Sequence, residues 1–237
     1  MEPQILSSSI IQNFIPARKS ASRKGDNGIV LVIGGSYIYH GAPILSSLAA
    51  LRCGTDLVYT SVPKINVSAT RSTSPNLIVI PLVDQKLTLG AVKKLVGALP
   101  RKLHSATIGM GLAIQEKNSL LYLVESLLDR DVRLSLDASA LIPEVLPLLS
   151  NKNVVVTPQT GEFKRLFGDI PSDSKNERIQ LIEKHALDHA VTILLKGTTD
   201  IISNGTKTYL CEKNTPAMTV GLSLIHISEP TRRTPIS

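Results

Sequence analysis

The chain has 237 residues and a mass of 25.5 kDa, with 43% hydrophobic residues and no Trp. That length holds one sizeable α/β core, so a single domain is the simplest expectation. We find no apolar run long enough to span a bilayer and no basic stretch leading into a hydrophobic one at the amino terminus. The sequence therefore predicts no membrane partner and no secretory signal, and by default a cytoplasmic location.

The net charge of +7 comes from 26 Lys and Arg against 19 Asp and Glu. The basic residues are scattered, and an aromatic content of 3% leaves little to stack bases on, so we expect no nucleic-acid partner. Attraction for a phosphorylated small molecule explains the charge as well. Cys53 and Cys211 have no metal or redox spacing, which fits a reducing compartment.

Residues 24–60 read as strand, glycine turn, helix and strand. A β-branched apolar run at 29–33 predicts a buried parallel strand that stops at the turn 34–36. A helix with Pro43 in its first turn follows, and the next strand covers 56–60. Ligands bind beyond the carboxyl ends of such strands, so 34–42 is a candidate binding loop; a turn of packing value only is the alternative.

The rest of the chain repeats this alternation. Further strands are predicted at 77–80, 104–108, 132–136, 154–156 and 191–195, and helices at 10–15, 89–99, 120–128, 142–149 and 175–189. The first of these helices is expected to pack on the core. Asn204-Gly205 predicts a hairpin, so the fold class is α/β, with a mostly parallel sheet, an antiparallel edge hairpin and helices on both faces.

Four predicted strand ends carry groups that could hold a ligand: 34–36, 109–111, Asp137 and 157–162. Parallel connectivity places all four at one edge of the sheet. Neither glycine pair is diagnostic by itself. The chain has no G-x-G-x-x-G fingerprint and no Gly-Lys-Ser/Thr loop, which argues against a Rossmann dinucleotide site and a P-loop.

Two carboxylates at these strand ends have more than one reading. Asp137 could bind a metal or accept a substrate proton, but a helix N-cap alone is the favoured role. Glu162 could be a Mg²⁺ ligand acting through water, or a carboxylate that stabilises the first turn of a helix.

Two further groups invite a functional reading. His185 and His189 lie four apart on a predicted helix, which is metal-ligand spacing, but no third ligand is in view and an exposed helical face is the favoured account. Residues 196–200 combine a lysine, a turn and two hydroxyls. That group suits the phosphate or ribose of a nucleotide, with a lead-in to the hairpin as the alternative.

Taken together, these stretches resemble the ADP/ATP-dependent NAD(P)H-hydrate dehydratases, relatives of ribokinase. The resemblance begins with Lys-Gly-x-x-Gly-x-Val-Leu-Val-Ile-Gly-Gly-Ser at 24–36 and Tyr-His-Gly-Ala-Pro at 39–43. It continues in order with Ala-Ala-Leu-Arg-x-Gly at 49–54, the turn 109–113, Asp-Ala-Ser-Ala-Leu at 137–141, Thr-Pro-x-x-Gly-Glu-Phe at 157–163, Leu-Lys-Gly at 195–197 and Pro-Ala-Met-Thr-Val-Gly at 216–221.

The resemblance implies a ribokinase-like three-layer α/β/α sandwich that repairs hydrated nicotinamide cofactors. The substrate would be NAD(P)H-hydrate, and the cofactors an adenine nucleotide, ADP or ATP, with Mg²⁺. The resemblance also implies a homotetramer.

The resemblance also implies site residues. The hydrate would be bound by Ala42, Gly111 and Gln159, and the nucleotide would be bound by Lys196, Gly197, Thr198, Thr199 and Asp200. An anion loop would bind the phosphates, and it would consist of Gly34, Gly35, Ser36 and Gly221. Glu162 would bind Mg²⁺ through water.

The chain departs from the family pattern at two places. Position 159 is Gln where many members have His. After Gly221 the family continues Gly-Thr-Gly-Asp into a long helix, whereas residues 222–237 read differently and resemble translated sequencing adapter. We therefore expect an incomplete domain at 1–221 and a non-native tail at 222–237. Without the catalytic Asp, the polypeptide is expected to be inactive and poorly soluble.

Two other functions stay open at this point. One is a ribokinase-like small-molecule kinase that releases a stable phosphate ester, because fold alone does not fix the reaction. The other is a nucleotide-binding protein without catalysis.

Overall fold

The computed structural model describes residues 2–15 and 17–212, which form one ten-stranded sheet. The strands are β1 (Gln4–Ile5), β2 (Ile29–Ile33), β3 (Leu57–Pro63), β4 (Leu77–Leu82), β5 (Ser105–Ile108), β6 (Arg133–Leu136), β7 (Val154–Val156), β8 (Thr192–Leu195), β9 (Thr199–Ser203) and β10 (Thr208–Glu212). Their order across the sheet is β1-β10-β9-β8-β7-β6-β5-β2-β3-β4. Strands β2 to β8 pair in parallel, and β9 is antiparallel to both β8 and β10.

The helices lie mainly in the crossovers between parallel strands. They are α1 (Ser8–Phe14), α2 (Gly41–Arg52), α3 (Val67–Thr73), α4 (Leu89–Ala98), α5 (Lys117–Leu128), α6 (Leu146–Leu149), α7 (Thr160–Phe167) and α8 (Lys175–Asp188), with 3-10 turns at Lys64–Asn66, Ala138–Ala140 and Pro143–Val145. In the described part of the chain, no helix has the length and apolar character needed to cross a membrane.

Both faces of the sheet are covered. Along β2, the buried Leu31 and Ile33 point to one side and Val32 to the other, as the two-residue period of a strand requires. The larger core, on the side of Leu31, takes its α-helical residues from α4, α5, α6, α7 and α8, and the smaller one includes Ala42 of α2. Helices on two faces of a mostly parallel sheet confirm the predicted α/β sandwich.

The predicted hairpin is also present. β9 and β10 pair antiparallel, with Thr208 opposite Ser203, and the turn between them contains Asn204 and Gly205. The two-residue β1 pairs in parallel with β10 and lies outside the hairpin at this end of the sheet.

Two of the predicted helices differ from the structure. The helix expected at 142–149 is a 3-10 turn followed by the four-residue α6, because Pro147 has no N–H to donate to an earlier carbonyl. The amino-terminal helix forms at Ser8–Phe14, but it has no buried residue, so the expectation that it packs on the core is wrong. Phe14 and Ile15 are 69% and 64% exposed. Backbone pairing of β1 with β10, which needs no side-chain burial, holds the neighbouring chain in place.

Candidate active site

The ends of four neighbouring strands meet at one edge of the sheet. Ile33 of β2 pairs with Ile108 of β5, Ile108 with Leu136 of β6, and Leu136 with Val156 of β7. The segments that follow these residues are 34–36, 109–111, Asp137 and Thr157, so the structure places together the four strand ends singled out in the sequence.

One half of this edge, residues 34–43 and 109–113, is held by backbone contacts, and we call it the glycine half. The Gly35 N–H donates to Met110 O over 2.9 Å, and the Ser36 N–H donates to Tyr39 O over 2.9 Å. Gly34, Gly35 and Ser36 are buried. Gly111 has φ +66°, and a Cβ there would lie 2.8 Å from the Cβ of Tyr39, so only glycine allows this approach.

A cleft of about 490 Å³ opens beside the glycine half. It lies between the loop 36–39, residues 85–86, the turn 111–113 and residues 138–139. Tyr37, Ile38 and Tyr39 are each more than 60% exposed, and Lys86 is the charged residue among those that line the cleft. Ala42, the second residue of α2, is 7% exposed. This arrangement of apolar groups with one cation suits a planar ring that carries an anionic group.

The other half is held by charged side chains, and we call Asp137, Thr157, Glu162 and Lys196 the charged half. The Lys196 ammonium donates from Nζ to Asp137 Oδ1 over 2.6 Å, and Thr157 Oγ1 donates to the same oxygen over 2.9 Å. Glu162 Oε2 lies 3.8 Å from Nζ. The side chains of Lys196, Asp137 and Glu162 are only 15–21% exposed, so their charges interact through partly desolvated surroundings.

The favoured role for Asp137, a helix cap alone, is wrong. The 3-10 turn Ala138–Ala140 that follows has no side-chain hydrogen bond from Asp137 at its start. The carboxylate is turned instead toward Thr157, which follows the adjacent β7, and toward Lys196, which follows β8 one strand further along the sheet. The partner Lys196 is 59 residues away in sequence, so no local pattern could identify it.

Glu162 and Gln159 belong to the first turn of α7. The Gln159 N–H donates to Glu162 Oε2 over 2.8 Å, which is one half of a capping box. The structure therefore gives Glu162 the helix-stabilising role that the sequence offered as one of two readings. Its Mg²⁺ role stays a prediction.

Oxygen donors are the ligands that Mg²⁺ prefers, and Asp137 and Glu162 both supply them here. In the described residues there is no cluster of three or more His, Cys, Asp or Glu side chains that could hold a metal ion. A Mg²⁺ ion bound here would therefore complete its coordination with water and with oxygens of a bound phosphate.

Residues 196–198 connect β8 to β9, and Thr199 and Asp200 begin β9. The Lys196 N–H donates to Pro158 O over 2.9 Å, and the Gly197 N–H donates to Asp200 Oδ1 over 2.9 Å. Asp200 is 7% exposed and Thr198 is exposed. The segment is thus a hydrogen-bonded strand connection beside the charged half, and its nucleotide-binding role stays a prediction.

The two predicted histidines lie away from this edge, His185 in α8 and His189 directly after it. His185 is 7% exposed, so the expected exposed helical face is wrong. Its ring stacks on His189 with centroids 5.8 Å apart and lies near Phe163 and Phe167, while Nε2 is 2.8 Å from Asp169 Oδ2. Burial, and then the neighbouring His185, lower the pKa of His189.

Sequence reasoning missed two features of the edge. Lys86 lies in the connection between β4 and α4, and no motif marks it. The other is the bond between Asp137 and Lys196: topology places their strands one on each side of β7, but it does not show that the two side chains meet. Gly221 and the predicted domain boundary fall outside the described residues.

In comparisons with known proteins, the family model and the similar sequences point to one family. The family model described as NAD(P)H-hydrate dehydratase matches residues 30–222. The chain is 78% identical over 221 residues to the ADP-dependent (S)-NAD(P)H-hydrate dehydratase of Nitrosopumilus maritimus and 58% identical over 221 residues to that of Cenarchaeum symbiosum. Each alignment covers 93% of this chain and 77% of the relative.

Among solved structures, the chain resembles a Bacillus subtilis protein described as an ADP/ATP-dependent NAD(P)H-hydrate dehydratase co-crystallized with ATP/Mg²⁺. The TM-score is 0.80 at 23% identity, over 96% of this chain and 79% of the other. At that identity the similarity shows the fold, and it confirms the ribokinase-like three-layer expectation. The extent of the family match and the 78% identity decide the assignment: this chain belongs to the NAD(P)H-hydrate dehydratase family.

Proposed function

We propose that the chain carries an NAD(P)H-hydrate dehydratase domain that uses ADP as its phosphoryl donor. The observation that carries this proposal is the 78% identity to an enzyme named as the ADP-dependent dehydratase. The relative at 58% identity has the same name, which favours ADP over ATP.

The two halves of the site divide the reaction between them. The glycine half, with Ala42 and Gly111, takes the hydrated nicotinamide ring, and Gln159 contacts it from α7. Residues 196–200 hold the adenine nucleotide, and 34–36 contribute to the anion loop, to which the sequence also assigns Gly221, outside the described residues. The charged half lies between these groups because Asp137 and Thr157 follow the strands between β5 and β8.

The reaction is a phosphoryl transfer followed by an elimination. The ring hydroxyl oxygen forms a bond to the terminal phosphorus of ADP as the bond to the departing AMP breaks, and the hydroxyl proton goes to a base. The carbon–oxygen bond of the phosphate ester then breaks, phosphate leaves, and a ring proton is lost so that the double bond of NADH or NADPH forms. Positioning and charge neutralisation supply most of the catalysis in phosphoryl transfer.

The residues present fit these needs. Lys196 places a cation beside the strand ends where phosphates would lie, and its N–H groups can meet phosphoryl oxygens. Mg²⁺ would be held by Glu162 through water, and when bound it would offset phosphate charge.

The test is recovery of NADH absorbance from hydrated NADH, with ADP and with ATP, in separate reactions. We expect ADP to support more turnover in the parent domain that continues with Gly-Thr-Gly-Asp after Gly221. For the chain of 237 residues we expect ADP binding without turnover, because the sequence after Gly221 has no such Asp to take the hydroxyl proton.

Three outcomes would change the proposal. Turnover by the 237-residue chain would contradict the expected inactivity. A parent domain that phosphorylates a sugar or pyrimidine but does not restore NADH would favour the kinase alternative. A parent domain that binds ADP and does neither would favour a binding protein without catalysis.

A further inference from the structure

An ion pair spans the end of β7. Asp137 follows β6 and Lys196 follows β8, and β7 lies between these two strands. Nζ is 2.6 Å from Oδ1, and Thr157, at the end of β7, donates to the same oxygen. The lysine and aspartate side chains are 18% and 15% exposed, so the pair is largely shielded from water.

Asp137 does not use its carboxylate to stabilise its own turn, because the following 3-10 turn has no side-chain cap. A carboxylate with this little exposure loses hydration, and only its partners can compensate that loss. Both hydrogen bonds that the structure gives Oδ1 come from the ends of other strands, β7 and β8. The interactions of Asp137 are thus directed at Thr157 and at Lys196.

The main chain of Lys196 is already fixed by its hydrogen bond to Pro158 O and by the Gly197 bond to Asp200. What remains to be ordered is the flexible side chain, and ordering it when a ligand arrives would oppose binding. Asp137 orders it in advance. An ammonium has three N–H donors, and Glu162 at 3.8 Å is beyond hydrogen-bond distance, so the partners found in residues 2–15 and 17–212 leave donors for an incoming oxygen.

We propose that Asp137 is a positioning residue for the adenine nucleotide. It holds the Lys196 ammonium over the end of β7, where the ammonium meets the nucleotide's phosphates, and Asp137 itself touches neither the nucleotide nor the reacting atoms. This inference rests on the proposed function, which assigns the nucleotide to residues 196–200.

A competing account predicts the opposite change in nucleotide affinity when the Asp137 charge is removed. The Asp137 carboxylate is negative and would repel a phosphate, so if repulsion outweighed positioning, removing its charge would tighten nucleotide binding. If positioning outweighs repulsion, the same change weakens binding. The direction of the change in affinity therefore decides between the two accounts.

The first experiment is calorimetric titration of the 237-residue chain with ADP. We expect Asp137→Asn to weaken binding by roughly tenfold, equivalent to about 1.4 kcal/mol. Lys196→Met should weaken it at least as much, and the double variant should be no weaker than Lys196→Met alone, because Asp137 acts through the lysine. Asp137→Glu, which keeps the charge, should restore part of the affinity.

Glu144→Gln is the matched control. It removes a carboxylate from the exposed ion pair of Glu144 with Lys117, which involves neither Asp137 nor Lys196. We expect its ADP affinity to equal that of the unchanged chain. Thermal denaturation of every variant shows whether it is folded at the titration temperature.

The second experiment needs no nucleotide, and loss of stability alone would not produce its result. Lysines are acetylated at low reagent concentration, and the labelling of Lys196 is compared with that of Lys117 in the same sample by mass spectrometry. Asp137→Asn should raise the relative labelling of Lys196 several-fold, because its nitrogen is no longer held against a carboxylate. In the unchanged chain, ADP should protect Lys196.

Each contrary result has a distinct meaning. Tighter ADP binding by Asp137→Asn, or unchanged labelling of Lys196, overturns the positioning role while the dehydratase proposal stands. Unchanged ADP binding by Lys196→Met, or no ADP binding at all, overturns the positioning role together with the nucleotide assignment. The dehydratase proposal itself is decided by the hydrate assay in the parent domain.

Discussion

The two halves of the site are held in place by different forces. In the glycine half, backbone bonds such as that from Gly35 to Met110 fix the loops, and the absence of side chains at Gly109 and Gly111 allows them to approach. In the charged half, the contacts of Asp137 and Glu162 with Lys196 join three strands through side chains. The main chain therefore sets the shape of the glycine half, whereas the position of charge in the charged half depends on single side-chain atoms.

This difference fits the two ligands that we propose. A hydrated ring needs a shaped, largely neutral surface, and a phosphate needs oriented cations and N–H donors. A change in the glycine half should therefore act through folding or ring binding. A change in the charged half should act mainly on the nucleotide.

The largest effect is expected where the halves join, at Gly109. Its φ is +118°, and a Cβ there would lie 1.9 Å from Asp137 O and 2.7 Å from the Cβ of Ala140. Gly109→Ala must strain the backbone and push the β6 end away, so we expect the free energy of unfolding to fall by on the order of 4 kcal/mol. Urea denaturation measures this loss.

Gly97→Ala is the control for that substitution. Gly97 lies in α4, and a Cβ there would meet nothing within 4 Å. Removing a helical glycine should raise stability by about 0.4–1 kcal/mol. If both variants had similar stability, the close approach of Gly109 to Asp137 and Ala140 would be contradicted.

The alignment of the strand ends could be predicted from the sequence because it follows from topology. Runs such as 29–33 and 154–156 mark buried strands, and parallel crossovers bring their carboxyl ends to one edge. The glycine half could be anticipated in the same way, since Gly34 and Gly109 follow directly on strand ends.

The charged contacts and the packing of α1 could not be predicted. Asp137 reads locally as a cap, and only its distance of 2.6 Å from Lys196 shows the other role. The spacing of Ile11 and Phe14 is helical, but spacing does not tell whether a partner surface exists, and both are exposed. The spacing of apolar residues shows the period of a helix or strand. Whether its apolar face is buried depends on whether another part of the chain packs against that face.

A smaller effect is expected at Glu162. Glu162→Gln removes the negative charge that attracts Lys196 and weakens the bond to the Gln159 N–H. We expect the free energy of unfolding to fall by about 1 kcal/mol, as for loss of a helix cap, and we expect ADP affinity to fall as well. Chemical denaturation and titration with ADP measure the two effects.

Glu125→Gln provides the comparison, since Glu125 is exposed in the middle of α5. Its stability should change by no more than about 0.5 kcal/mol and its ADP affinity not at all. An equal loss in both variants would mean that Glu162 has no special role at the start of α7.

The glycine half is tested by Tyr39→Ala. The Tyr39 side chain is 64% exposed, so stability should change by no more than about 0.5 kcal/mol. Loss of a ring that lines the cleft should weaken binding of NADH by about threefold to tenfold, the range for an aromatic contact. ADP affinity should stay unchanged, because the charged half is intact.

Tyr122→Ala serves as the control, because this tyrosine lies on α5, outside the cleft, near Lys93. It should leave NADH binding unchanged. A Tyr39 variant that lost ADP and NADH binding equally would show that the two halves do not act separately.

The smallest expected effect is on the pH dependence of stability, through His189. Burial lowers its pKa from 6.5, His185 lowers it further, and Asp188 opposes the shift. The unfolded chain therefore binds the proton more readily, so stability is unaffected well above pH 6.5 and is lost as the pH falls through 6.5 toward the lowered pKa. Thermal denaturation across this range should show the loss, and His189→Phe should reduce it.

Asp188→Asn sharpens this test. Without the Asp188 charge, the pKa of His189 falls further, so the loss of stability in acid should be larger than in the unchanged chain. His189 packs on Phe167 at the end of α7, whose first turn contains Glu162. As the pH falls, ADP affinity should therefore decline at a higher pH than NADH affinity does. An equal decline of both affinities would mean that the acid effect does not arise in the charged half.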